Sequence, residues 1–156
     1  MGMLRLRRRL MRLFELGERT AKVHETLVTL SELAENTDVR AVLLDIADDP
    51  AALKPYLNRL DLVVLRFPIF RDGRVFTQAR KLREYLRFSG EIRAEGHVLP
   101  DQAAFLKRCG VDSVVLPDGS DPALWESQLS RFPVAYQRSV LPSRPVGAGL
   151  RVEEGT

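Results

Sequence analysis

The sequence predicts an α/β fold of four to five βα units around a mainly parallel sheet, either an incomplete TIM-barrel-like curve or an open flavodoxin-like sheet. Three observations predict it. From residue 38 onward, short β-branched apolar runs alternate with helical patterns at the spacing of strand–helix–strand units. Two of the helical patterns open on a capping aspartate followed by proline, Asp49-Pro50 and Asp121-Pro122. The segment "GEIRAEGHV" (90–98) sets Glu91, Arg93, Glu95 and His97 on one strand face against Ile92, Ala94, Gly96 and Val98 on the other. A polar strand face suits the inner side of a curved sheet. An edge strand guarded by charge is the competing reading.

Taken in order, "VRAVLLDI" (39–46) reads as a strand and "DDPAALKPYLNRL" as a helix whose Pro55 sits too deep for regular α geometry. "DLVVLRF" (61–67) is the second strand. "DGRVFTQARKLREYLRF" (72–88) carries Val75, Ala79, Leu82 and Leu86 at helical spacing, which defines a buried stripe. The 90–98 strand follows, then a helix opened by Pro100 and closed by Gly110 in a left-handed cap. "DSVVLP" (112–117) is the fourth strand, "SDPALWESQLSRF" a further helix and "VAYQ" (134–137) a fifth short strand. Residues 1–37 form a basic arm and lead-in, readable as two helices or as a strand pair before a helix at 26–35. The core spans 38–137, and 138–156 is a Pro/Gly-rich tail.

The 156 residues suffice for one domain with its own core. Residues 1–23 hold seven basic and two acidic side chains, so a net charge of +3 for the whole chain leaves the remainder slightly acidic. This argues against a nucleic-acid surface on the core. The arm "RLRRRLMR" could itself dock on an acidic protein, a membrane surface or nucleic acid, and binding of that kind weakens steeply with salt. No apolar run reaches the ~18 residues of a membrane span. The N-terminus lacks the apolar core of a secretory signal, although its Arg-rich amphipathic character has something of a transit peptide. A single cysteine, Cys109, excludes an internal disulfide and a cysteine cluster, which makes a reducing cytoplasm the expected compartment.

The stretch "FPIFRDGRVFTQARKLREYLRFSGEIRAEGHVLPDQAAFLKRCGVDSV" resembles a bacterial family of unknown function labelled as an oxidoreductase of sulfite reduction. Its members share F-P-x-F-x-D-G-R-G-[YF]-[ST]-x-A-R-x-L-R, then G-E-[LI]-R-A-x-G-[DH]-V-L-x-D-Q, then R-C-G-[VF]-[DN]. This chain departs at Val75, where the family has Gly, and at His97, where it often has Asp. The resemblance implies a link to assimilatory sulfite and sulfate reduction, through docking on sulfite reductase or binding of an oxyanion.

Asp72, Gly73 and Arg74 fall where a strand meets a helix at the carboxyl end of the sheet, the usual ligand position in α/β folds. Gly73 would allow close backbone approach, and Arg74 would offer a bidentate donor to sulfite, sulfate, phosphate or a carboxylate. A helix cap with Arg74 in solvent is the plainer reading. Arg93, if interior, needs a partner, for which Asp101 or Asp72 are candidates, and could share an anion pocket with Arg74 and Gln102. His97 and Asp101 are weak candidates for acid–base roles in a small barrel-like oxidoreductase using a diffusible cofactor. Arg80, Arg83 and Arg87 lie on one helical stripe, a solvated face or a partner-facing one. Cys109 suits packing better than redox chemistry. No dinucleotide fingerprint, P-loop or iron–sulfur cysteine set occurs, so no cofactor and no metal are predicted. A second copy of the chain is a candidate partner that would complete a barrel.

Overall fold

The computed structural model describes residues 4–5, 12–17, 19–22, 26–69 and 72–130. Seven strands make one sheet: β1 (Leu4–Arg5), β2 (Leu13–Glu15), β3 (Thr26–Thr29), β4 (Ala41–Leu44), β5 (Leu62–Phe67), β6 (Glu91–Gly96) and β7 (Ser113–Val115). They lie in the order β1-β3-β4-β5-β6-β7-β2. Strands β3 to β7 are parallel and neighbour one another in sequence order. β1 and β2 close the two edges by antiparallel pairing with β3 and β7. This is the order of successive βα units in part of a barrel, without the reversal of a flavodoxin-like sheet. The edge strands do not meet among the described residues, so the sheet stays open.

The charged segment at 90–98 is therefore central, paired to β5 on one side and β7 on the other, and the edge-strand reading does not hold. Register places Leu62, Val64, Glu91, Arg93 and Ser113 on one sheet face, with Val63, Leu65, Ile92, Ala94 and Val114 on the other. The latter face packs against the helices and forms the main core with Leu53, Val75, Ala79, Leu82, Leu106 and Trp125. Leu27, Ala41, Leu43, Leu62 and Val64 make a second, smaller apolar cluster on the opposite face. Strands buried on both faces read as the continuous apolar runs seen in β4 and β5.

After β4, Asp49 caps Ala51 N at 3.0 Å and Pro50 opens a 3₁₀ helix, Pro50–Arg59. Pro55 lies within it. Its ring would clash with the carbonyl four residues back in an α-helix, and the segment takes the tighter winding. Helix α1 (Arg74–Arg80) runs on into a π turn, Lys81–Tyr85, where Leu86 N bonds Lys81 O at 3.0 Å. Val75, Ala79 and Leu82 are fully buried, as their spacing predicts, with Leu86 packed at the margin. A 3₁₀ turn (Pro100–Gln102) leads into α2 (Ala103–Arg108), ended by Gly110 at φ +97°. α3 (Pro122–Ser130) starts behind Asp121, which caps Ala123 N at 2.9 Å.

The lead-in contributes β1, β2 and β3, and residues 26–29 are strand rather than helix. A short 3₁₀ turn follows (Leu30–Glu32), with Glu32 accepting from Thr29 N at 3.1 Å. The strand expected at 134–137 and the tail at 138–156 lie outside the described residues. Among the described residues, no helix is long and apolar enough to cross a membrane.

Candidate functional site

Strand alternation carries Glu91 and Arg93 to the same side of β6, opposite Ile92 and Ala94. Arg93 is 1% exposed. Its Nε and Nη2 donate to Glu91 Oε2 at 3.1 and 2.8 Å, and Nη2 also donates to Lys22 O at 2.6 Å. Glu91 accepts in addition from Ser113 Oγ at 2.6 Å and from Lys22 N at 3.1 Å. Beside them Glu15 accepts from Ala21 N at 2.8 Å. The polar stripe thus clamps the backbone of residues 21–22 over the inner sheet face. Neither Asp101 nor Asp72 is the partner of Arg93. The same-face neighbour two residues away fills that role, because the strand pleat already holds the two side chains together.

A second network surrounds Asp112, at the entry to β7. Its carboxylate receives Arg83 Nη2 at 2.5 Å, Arg19 Nη1 at 3.0 Å and Ile92 N at 2.9 Å. Arg83 is 4% exposed and further donates to Gly110 O, Phe88 O and Gly90 O at 3.0, 2.7 and 2.8 Å. Burial pushes its pKa down, opposed by the Asp112 charge. The expected outward stripe is therefore corrected at Arg83, which is turned inward. Arg80 stays outside, bridged to Glu84 at 2.9 Å, and Arg87 is exposed with φ 58°. Arg87 sits just past the last helical turn, where glycine would avoid a left-handed cost of about 1 kcal/mol.

At the carboxyl ends of the strands, Asp72 and Arg74 close on each other. Asp72 Oδ1 accepts from Arg74 N at 3.1 Å and Nε at 2.9 Å, and Oδ2 accepts from Nη2 at 2.6 Å. This bond holds the Asp72 carboxyl below its ordinary pKa and raises that of Arg74. Gly73 has φ −72° and open space where a Cβ would stand, so its backbone does not require glycine. His97 and Asp101 are exposed and lie apart from the Arg93 network. Gln102 turns back to cap Leu99 N at 2.9 Å. Among the described residues, Arg93 bonds to Glu91 and Lys22 while Arg74 bonds to Asp72, and no hydrogen bond or ion pair links the two arginine sites.

Exposed apolar side chains also stand at this end. Ile69 is 56% exposed, Leu99 39% and Phe105 41%. They follow β5 and β6 or lie on the helix after β6. Phe105 rests on Phe76 (ring centroids 4.7 Å apart), which rests edge-on against Phe67 at 5.5 Å. Asp72, Arg74, His97, Asp101 and Gln102 flank these residues in the chain. Among the described residues, no group of three or more His, Cys, Asp or Glu is placed to hold a metal ion. Cys109 is buried, and burial pushes its thiol up to about 11.

Sequence reasoning missed Asp112, Arg19, Lys22 and Ser113. Asp112 had a signal, as the residue after "RCGV" in a quoted block. The bonds to Lys22 run through its backbone, which no side-chain pattern reveals. Residues 41–147 match the family model described as a bacterial protein of unknown function (DUF934). No curated protein and no solved structure matches the chain.

Proposed function

The chain belongs to the DUF934 family of bacterial proteins of unknown function, and from that premise we propose that it is a docking accessory of assimilatory sulfite and sulfate reduction, seated on sulfite reductase. The pathway comes from the blocks around Asp72-Gly73-Arg74 and Gly90–Gln102. The mode of action comes from the surface. The observation that carries it is the open set Ile69, Leu99 and Phe105 at the carboxyl end of the sheet.

The charged groups that would otherwise carry chemistry are engaged within the fold: Arg93 with Glu91, Arg83 with Asp112, Arg74 with Asp72. Exposed apolar residues gathered at one end and flanked by polar ones mark a protein–protein contact. Arg74 and Asp101 at the rim would set register more than affinity. A reading as a catalyst with His97 and Asp101 in acid–base roles has less support, because each side chain is exposed to solvent rather than held in a protected site.

The test is co-elution on a sizing column with the sulfite reductase of the same organism, at low and moderate salt. Co-elution that survives moderate salt and is lost in Ile69→Asp and in Phe105→Glu supports apolar docking at this end. A wild-type chain that never co-elutes overturns it. Arg93→Ala is a poor probe here, since it leaves Glu91 buried without its cation.

A further inference from the structure

An open cleft of about 570 Å³ lies at the opposite end of the sheet, at the amino ends of β5 and β6. Four cations line it, Arg19, Lys22, Lys54 and Arg87, together with two carboxylates, Asp61 and Glu91. Each carboxylate is already matched: Asp61 by Arg40 at 2.6 Å and Glu91 by Arg93 at 2.8 Å. Arg19 is matched by Asp112. Lys22, Lys54 and Arg87 remain, with no acidic partner among the described residues. A concave wall on which three cations find no acidic partner among the described residues concentrates field and favours an anionic occupant.

Arg87 adds a second, independent observation. Its backbone sits at φ 58°, where glycine is the easy choice, yet the residue present is a guanidinium lining the cleft. The volume is that of a small-molecule site and far exceeds one inorganic oxyanion. Leu57, Leu86 and Phe88 supply apolar wall beside the charges.

We propose that this cleft binds a small organic phosphate or sulfate ester, with Arg87 as the bidentate donor to the oxyanion and Lys22 and Lys54 flanking it. The site goes beyond the docking reading and stands without it, since it occupies the other end of the sheet.

The experiment is calorimetric titration of the full chain at fixed ionic strength with adenosine 5′-monophosphate, 4-nitrophenyl sulfate and inorganic phosphate. Saturable one-to-one binding of either ester, tighter than inorganic phosphate, is expected. Preference between the two esters assigns the phosphate or the sulfate chemistry. Arg87→Gly and Lys54→Gln should each weaken binding at least about tenfold, the effect of losing one charge-assisted contact. Arg87→Gly should also keep or raise the melting temperature, because it removes a left-handed non-glycine residue; its binding loss then cannot be read as unfolding. Arg74→Gln should bind as the wild type does. No saturable binding of either ester overturns the proposal. So does binding that Arg87→Gly and Lys54→Gln leave unchanged, or inorganic phosphate binding as tightly as the esters.

Discussion

Arg83 and Asp112 meet at 2.5 Å with the guanidinium almost wholly out of solvent, joining the helix before β6 to the loop that enters β7. The same carboxylate also holds Arg19 and the amide of Ile92. Asp112→Ala should therefore leave a buried cation unpaired and cost about 3–5 kcal/mol of folding stability. Urea unfolding followed by circular dichroism measures it. A cost under about 1 kcal/mol would mean that water or another group neutralises Arg83.

Glu91 and Arg93 form a pair of the same kind inside the sheet. Glu91→Leu and Arg93→Met should each cost about 3–5 kcal/mol, and the double substitution much less than their sum. The double variant still loses both bonds to the Lys22 backbone. Tryptic cleavage after Lys22 should then speed up even where global stability is recovered. Additive single costs, or unchanged cleavage, would show that the clamp is not energetically real.

Asp72 should titrate below its ordinary value of 3.8, because Arg74 bonds its ionised form. A carboxyl with a depressed folded-state pKa contributes stability that is present above the unfolded pKa and is lost as pH falls through the folded one. Asp49, bonded by Lys81, and Glu32, bonded by Thr29, shift in the same direction. Stability should accordingly decline as pH drops below about 4. In Arg74→Gln the Asp72 midpoint should return to the ordinary range, read by carboxyl carbon resonances. A midpoint that does not move would assign the shift elsewhere.

Cys109, buried and with its thiol at about 11, should resist a disulfide reagent at pH 8 in the native chain. Unfolding in urea should release full reactivity. Immediate stoichiometric labelling of the native protein would contradict its packing between α2 and the sheet.

The strands and helices were legible where physics is local. The β4 and β5 runs, the Val75–Ala79–Leu82 stripe and the Asp49, Asp121 and Gly110 boundaries all rest on spacing, capping or backbone freedom within a few residues. Arg83 was not legible, because its place depends on Asp112, 29 residues downstream, and on a helix that widens from Lys81 onward. Helical periodicity carried past that point puts Arg83 beside Arg80 and Arg87 on the outside. The charged face of β6 was legible as a pattern but not as a structure. Its cover is the main chain near Lys22, in the segment whose elements the pattern left open.

β2 pairs with β7, which follows it by roughly a hundred residues, and the Lys22 clamp waits on β6. A chain made from its amino end therefore produces an edge strand long before that strand has a neighbour, while β3 to β7 can add to one another in order of synthesis. Translation must run past Val115 before β2 can dock. Until then the inner face of the nascent sheet lacks that cover, and a ribosome-associated chaperone that shields the segment from β2 to Lys22 would be guarding the piece that is fitted last.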